Sequence, residues 1–527
     1  MLVIANRTHA MSQMPSLHEA KPAGREGLSL EHSAHEYQVL MQDGHLSSED
    51  LVNYFLDQIE RHNNLGLKLK AILSVCPRDL AISQAKVLDE ERRQGKVRSD
   101  LHGIPIVVKD CIVTAPSLGM VSSAGSSAIA SLQATRNASL VDRLLEAGMI
   151  VLGKGNLTEF CGLKSDNTPM GWSAYGGQTL SPYRREDLPE KDQPICGGSS
   201  CGPAVSITAG FSPLGIGTET GGSNVFPASL GGLYGLTLPH GSVPIDGVCR
   251  ISETFDRIGQ MARDPRDLAS VAKILVKSDE HLTERLEDED TPTEGLWRGL
   301  SIGVLDSEWG TDPGSKWKWG SVEVKDKYAS VVRNMEALGA RVVFPLENAS
   351  DPGRLKYEGE TLHSVAYHEF SEVLEDFIST NFESGAKITN LADLIAWNEE
   401  HAAQALPGQF STQTELIKCR DDAMTKEKHD AAAAALRRLA REEGMAQLMR
   451  DQDLDIVLSS SDATLISFSA CAGWPVATVP VGNLTKNGQP WGFFALARDG
   501  SVDVLLRFMK AFHGSFARVK GPTTPFE

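Results

Sequence analysis

The segment from residue 197 to residue 223 constrains this chain more than any other. It reads GGSSCGPAVSITAGFSPLGIGTETGGS, with a Gly-Gly-Ser cluster at each end. Between the clusters, residues 203–209 have a helical pattern opened by a proline, and residues 214–216 have an apolar strand pattern. Glycine lets a backbone approach a substrate closely, and serine supplies a nucleophilic or proton-relaying hydroxyl. The segment therefore predicts two serine clusters that converge on one site.

Strand and helix patterns alternate along most of the chain, which predicts an α/β layered fold. The predicted helices cover residues 47–62, which Ser47 would cap, 78–95, 138–147, 324–338 and 502–513, with a mostly helical region at 360–450. The predicted strands cover residues 103–108, 149–152, 300–304, 340–344, 456–458 and 476–479.

The chain divides into an N-terminal arm with a first helix (residues 1–44), a main domain (45–515) and a C-terminal tail (516–527). Within the main domain, we expect residues 355–450 to form a helical insertion on the substrate side. Residues 279–294 carry eight acidic side chains and one basic side chain, which predicts a solvated linker.

Composition narrows the possible partners. The 527 residues include 51 Lys and Arg and 69 Asp and Glu, a net charge of −18, which argues against binding to nucleic acid or to an anionic membrane. No apolar run is long enough to span a bilayer, and the N-terminus does not have the pattern of a signal peptide. The eight cysteines are scattered, without a C-x-x-C pair. We therefore expect a reduced, cytoplasmic protein.

No motif indicates a metal ion or another cofactor. The chain has no H-E-x-x-H, no clustered His, Cys and Asp residues, and no G-x-G-x-x-G after a strand pattern. We therefore expect no cofactor and no metal.

Lys109 ends the apolar strand pattern at 103–108. Desolvation there would lower its pKa and allow the amine to act as a base, although a surface lysine just beyond a strand is the plainer interpretation. The backbone N–H groups of Thr220, Gly221 and Gly222 could form a nest for an oxyanion, or simply a turn. No lysine follows as in a Walker-type phosphate loop.

A second motif overlaps the first serine cluster. Residues 198–202 fit G-x-S-x-G, the nucleophile elbow of α/β-hydrolases, which would make Ser200 the nucleophile. That elbow requires a strand just before it, and residues 192–195 are a poor strand pattern. None of the seven downstream histidines has a setting that marks it as catalytic.

Taken together, these segments resemble the amidase signature family of serine hydrolases. The resemblance covers roughly residues 45–515, and residues 171–178 with the Thr-Glu-Thr before Gly221 look most like its peptide-amidase branch. The segments that carry it are GIPIVVKD at 103–110, SAGS at 123–126, GKGNLTEF at 153–160, GWSAYGGQ at 171–178, the serine–glycine segment, FD at 255–256, MAR at 261–263, LADLIAWN at 391–398 and AGWP at 472–475.

The resemblance implies a mixed, twisted central sheet wrapped by helices, and hydrolysis of an amide through an acyl-enzyme. It implies a Ser–cis-Ser–Lys triad of Ser223 as nucleophile, Ser199 as bridging residue and Lys109 as base, with the cis peptide between Gly198 and Ser199. The oxyanion hole would be formed by the backbone N–H groups of Thr220, Gly221, Gly222 and Ser223.

The chain departs from the family pattern beside the nucleophile. Asn224 and Val225 stand where the family usually has Ile-Arg or Val-Arg, Cys201 stands where Ser or Gly is typical, and Pro203 follows Gly202. These departures leave open a catalytically silent member, or a partner-dependent protein resembling part of an amidotransferase.

For an active enzyme, the resemblance implies a small-molecule amide or peptide-amide substrate. Met120, Ser200 and Trp474 are the candidate substrate contacts. A homodimer is possible.

Overall fold

The computed structural model describes residues 29–276, 295–311 and 322–522. Within these residues, a mixed 11-stranded sheet is surrounded by helices, which confirms the predicted fold class. The predicted linker at 279–294 lies outside the described residues. Among the described residues, no helix has both the length and the hydrophobicity that a bilayer crossing requires.

The sheet has the strand order β1-β3-β2-β6-β8-β7-β12-β13-β11-β9-β10, and β4 and β5 form a separate hairpin. The strands are β1 Ile72–Val75, β2 Pro105–Lys109, β3 Ile150–Gly155, β4 Trp172–Ser173, β5 Gly177–Gln178, β6 Leu214–Glu219, β7 Tyr234–Thr237, β8 Arg257–Ala262, β9 Ser301–Val304, β10 Arg341–Val343, β11 Ile456–Ser460, β12 Val476–Asn483 and β13 Pro490–Ala497.

The helices flank this sheet and build the region that follows β10. They are α1 Ala34–Gln42, α2 Ser48–His62, α3 Arg78–Arg93, α4 Ser127–Ala130, α5 Ser139–Glu146, α6 Cys201–Thr208, α7 Val225–Leu230, α8 Pro265–Leu275, α9 Val322–Ala337, α10 Leu362–Asn381, α11 Leu391–Glu400, α12 Ala402–Ala405, α13 Thr414–Arg420, α14 Lys426–Glu442, α15 Gly444–Asp451, α16 Leu465–Ala472 and α17 Val502–Ser515.

The sheet combines parallel and antiparallel strand pairs, and its edge strand β1 pairs antiparallel with β3. Strands β3, β2 and β6 run parallel, as do β11, β9 and β10, and the pairs that join these two groups are antiparallel. Every residue of β2, β3, β6 and β8 is buried, as expected for strands covered on both faces. Helix α6 packs against β2, β3 and β6, which brings its N-terminal end to the region where β2 and β6 end.

Several predicted elements are confirmed with small shifts of their ends. Helix α2 begins at Ser48, and Ser47 caps it reciprocally with Asp50. The strand predicted at 103–108 begins only at Pro105 and continues to Lys109, because Gly103 occupies a turn with a φ of 82°. The region 360–450 is mostly helical, as α10 to α15 show.

The sequence patterns did not reveal β1, β7, β8 and β13. Strand β8 reads RIGQMA and buries both Arg257 and Gln260. A charged or polar side chain normally indicates an exposed position, so this strand is recognisable only once the burial of those side chains is known.

Candidate active site

Lys109 lies at the end of β2, and its side chain is completely buried. Its Nζ is 2.7 Å from Ser199 Oγ and 2.8 Å from Thr218 Oγ1. The amine reaches both hydroxyls because β2 pairs in parallel with β6, which carries Thr218, and because Ser199 lies just before α6. A buried amine between two hydroxyls can exchange a proton with either of them.

The protonation of Lys109 is linked to that of Cys161. Burial is the largest influence on the pKa of Lys109 and lowers it, whereas the charge of an ionised Cys161 raises that pKa above its usual range. The two side chains share a neighbour, since Cys161 Sγ lies 3.8 Å from Thr218 Oγ1. Burial opposes this rise in the pKa of Lys109, because desolvation disfavours the charged amine, so loss of the charge on Cys161 favours the neutral amine.

Ser199 and Ser223 line the same cavity, which has a volume of about 350 Å³. The peptide bond between Gly198 and Ser199 is cis. The Ser200 N–H donates to the Ser223 carbonyl oxygen at 3.0 Å, which ties the two serine segments together. In the described part of the chain, no hydrogen bond joins the two serine hydroxyls.

The loop after β6 places a row of backbone donors beside Ser223. Gly222 has a φ of 98°, a left-handed conformation that favours glycine. The N–H groups of Gly221, Gly222 and Ser223 donate to no acceptor within the ranges the structure describes. Such unpaired donors at the mouth of a cavity are available to an anionic oxygen.

Two buried acidic side chains accept hydrogen bonds from this loop. Glu219 Oε2 accepts the N–H groups of Asn224 and Val225, both at 2.9 Å. Asp256 Oδ1 accepts the Thr220 hydroxyl at 2.5 Å. Burial raises the pKa of Asp256 to about 7.

None of the three candidate substrate contacts is among the residues that line this cavity. Ser200 is completely buried, and its Oγ donates to the Thr218 carbonyl oxygen at 3.2 Å. Met120 and Trp474 are buried within apolar clusters. Their roles as substrate contacts stay predictions. No strand precedes Ser200 between residues 179 and 199, so the strand–turn–helix geometry of a nucleophile elbow is absent there.

The cavity wall includes residues that the sequence patterns did not single out. Its apolar side chains are those of Met170, Phe226, Ile466 and Phe494, and its polar lining residues include Thr158, Cys161, Ser461 and Asp462. Ile466 and Phe494 come from α16 and β13, more than 200 positions after Ser223. The sequence could have identified Thr218 as a site residue, because it lies within the GTETGGS run and on the strand that pairs with the strand of Lys109.

The chain matches a known family over most of its length. The model of the family described as Amidase matches residues 50–466. The chain belongs to the amidase family. The predicted resemblance and the prediction of an amide-hydrolysing enzyme are thereby confirmed.

Relatives within the amidase family differ in their named roles. The native peptide amidase of Stenotrophomonas maltophilia is 32% identical in sequence and superposes with a TM-score of 0.79, covering 93% of this chain and 98% of its own. A putative amidase of Schizosaccharomyces pombe is 29% identical over 486 residues, which are 87% of this chain and 80% of that protein. A glutamyl-tRNA(Gln) amidotransferase component from Cupriavidus metallidurans is 36% identical over 225 residues, covering 42% of this chain and 41% of that protein.

Proposed function

We propose that this amidase-family chain hydrolyses the C–N bond of a carboxamide, with Ser223 as nucleophile, Ser199 as proton relay and Lys109 as base. The observation that supports this most is the 2.7 Å contact between the buried Lys109 amine and the Ser199 hydroxyl, beside a cavity that Ser223 also lines. A buried amine can be neutral near neutral pH and therefore accept a proton.

In the proposed first half-reaction, Ser223 Oγ attacks the carbonyl carbon. Its proton passes to Ser199 Oγ, whose own proton passes to Lys109 Nζ. The carbonyl oxygen becomes an oxyanion that accepts hydrogen bonds from the backbone N–H groups of residues 220–223. The proton then returns along the same path to the leaving nitrogen, the C–N bond breaks, and the acyl group remains on Ser223 as an ester.

Water completes the proposed cycle. It attacks the ester carbonyl and releases the carboxylic acid, while the relay carries the water's proton to Ser223. The hydrogen bond between Ser199 and Ser223 is expected to form with substrate in place, since catalytic hydrogen bonds often shorten only in the substrate complex. Ser223 is partly exposed to the cavity, which leaves its hydroxyl accessible to a bound amide.

The proposed substrate is a small amide or a peptide amide with an apolar acyl portion. The side chains of Met170, Phe226, Ile466 and Phe494 give the cavity an apolar wall beside the nucleophile. Apolar walls with a few polar groups are typical of small-molecule sites. The likeness to a peptide amidase supports the same substrate class.

Replacing Ser223 with alanine tests the proposal. We expect Ser223→Ala to lose hydrolysis of peptide amides and to lose labelling by a fluorophosphonate that reacts with activated serines. Ser206→Ala is the matched control, since Ser206 is buried in α6 and lines no part of the cavity. Full turnover by a folded Ser223→Ala variant would refute the proposal.

A partner-dependent role is the second candidate. It is supported by the 36% identity to an amidotransferase component over 225 residues. This candidate predicts that the purified chain hydrolyses glutamine only when a co-purifying partner is present. Hydrolysis of peptide amides by the isolated chain favours the first candidate, and failure of Ser223 to react with fluorophosphonate favours a catalytically silent member.

A further inference from the structure

The loop that carries Ser223 lacks the arginine that the family pattern places just after the nucleophile. Glu219, at the end of β6, is nevertheless completely buried. A buried carboxylate is stable in its charged form only when a cation and hydrogen bonds compensate for lost hydration. Arg257 supplies that cation from β8, with Nη2 3.3 Å from Glu219 Oε1 and both side chains at 0% exposure.

We propose that Arg257 is a positioning residue for the nucleophile: it holds Glu219, which in turn holds the backbone on the C-terminal side of Ser223. This inference rests on the proposed function, because it assumes that Ser223 is the reacting group. The compensating cation thus comes from the neighbouring strand β8 and not from a residue beside Ser223.

The register of the sheet creates this pair. Strands β6 and β8 are antiparallel, and Glu219 lies directly opposite Arg257. The Cβ atoms of directly opposite residues on paired strands lie close together, so the side chains of Glu219 and Arg257 can contact each other. The position of Arg257 is therefore set by the sheet and not by the loop.

The two carboxylate oxygens of Glu219 have different partners. Oε1 faces Arg257, while Oε2 accepts the N–H groups of Asn224 and Val225, the two residues that follow Ser223. These hydrogen bonds fix the two peptide groups that follow Ser223. They therefore also fix the orientation of the Ser223 side chain relative to the loop.

Arg257 is itself anchored on its other side. Its Nη1 donates to the Trp474 carbonyl oxygen at 2.5 Å and to Ser469 Oγ at 2.8 Å. These groups belong to the end of α16 and to the turn before β12. The guanidinium therefore connects Glu219, and through it the nucleophile loop, to the end of α16 and the turn before β12.

Asn224 occupies the space beside Gly259 and is completely buried. Its Nδ2 donates to Thr237 Oγ1 at 3.1 Å, and a Cβ built on Gly259 would lie 2.2 Å from Asn224 Cγ. The loop is thus held by β7 and β8 without an arginine of its own.

Arg257→Met tests the proposal, since methionine keeps much of the volume but neither charge nor hydrogen bonds. For folded protein, we expect both kcat for a peptide amide and the rate constant of fluorophosphonate labelling to fall about 100-fold, as for the loss of one oxyanion donor. KM should stay within threefold, because Arg257 does not line the cavity.

Arg263→Met is the matched control. Arg263 follows β8, and its Nη2 donates to the Ile207 and Thr208 carbonyl oxygens, at 2.5 and 3.1 Å. Its loss should lower thermal stability without slowing the labelling of Ser223. Folded Arg257→Met that labels within threefold of the parent rate would overturn the inference.

The double variant Glu219→Gln/Arg257→Met covers the case in which Arg257→Met does not fold. It leaves no uncompensated buried charge, and the Gln carbonyl can still accept the two loop N–H groups. We expect it to fold and to label about tenfold more slowly than the parent; labelling at the parent rate would overturn the inference. A fully active Ser223→Ala variant would refute the proposed function instead, so the two failures are distinguishable.

Discussion

Replacing Lys164 with methionine removes the cation from a buried ion pair beside the cavity. Lys164 Nζ lies 2.5 Å from Glu159 Oε1, and the two side chains are 1% and 0% exposed. Lys164 also donates to the Ala405 carbonyl oxygen of α12 at 3.1 Å, and Glu159 Oε2 accepts the Ala174 N–H at 2.8 Å. The pair therefore ties the segment that contains Thr158 and Cys161 to a helix and to a neighbouring turn.

The expected loss of stability follows from this burial. Removing one partner of a buried ion pair costs about 3–5 kcal/mol, because the remaining charge stays desolvated. Methionine fills most of the space of the lysine chain, so little cavity penalty is added. We expect the free energy of unfolding to fall by about 4 kcal/mol near pH 8, on the order of a thousandfold in the folding equilibrium.

This loss should depend on pH. Burial raises the pKa of Glu159 in the folded protein, and Lys164 opposes that effect. Without Lys164 the pKa rises further above its value in the unfolded chain. An acid whose pKa is higher in the folded state favours folding when protonated, so the variant's deficit is largest at high pH and shrinks as the pH falls.

Urea unfolding followed by tryptophan fluorescence at pH 8 and pH 5 measures the effect. The double variant Glu159→Gln/Lys164→Met is the control, since it removes both charges and should recover at least half of the deficit at pH 8. A deficit of Lys164→Met below about 1 kcal/mol at pH 8, or one equal at the two pH values, would refute the reasoning.

Three further outcomes are expected. Cys161→Ala should move the acid limb of the kcat/KM profile to lower pH, because a charged Cys161 raises the pKa of Lys109 and only the neutral amine is active; an unmoved limb would contradict this. Lys109→Met should lower kcat about 10²–10⁴-fold with an unchanged far-UV circular dichroism spectrum. Gly202→Ala should cost about 3 kcal/mol in urea unfolding, since its Cβ would lie 2.1 Å from the Asn156 backbone nitrogen and 2.5 Å from the Ala71 carbonyl oxygen; a neutral effect would show that these backbones move.

Local structure and the family were readable from the sequence. The cap of α2 at Ser47, the strand that ends at Lys109 and the helix opened near Pro203 all depend on neighbouring residues, whose spacing and chemistry the sequence displays directly. The serine–glycine segment, with its surrounding motifs, indicated the amidase family for the same reason. The proposed triad positions came from that resemblance and stay predictions.

Only the tertiary structure decided which distant groups meet. The sequence alone identified neither the charge partner of Glu219 nor the thiol linked to Lys109, and it did not reveal that the Trp474 carbonyl oxygen accepts a hydrogen bond from Arg257. These contacts depend on strand order and register, which bring together residues tens to hundreds of positions apart. Buried polar groups such as Arg257 are stable only once those partners are in place, so no local pattern can predict them.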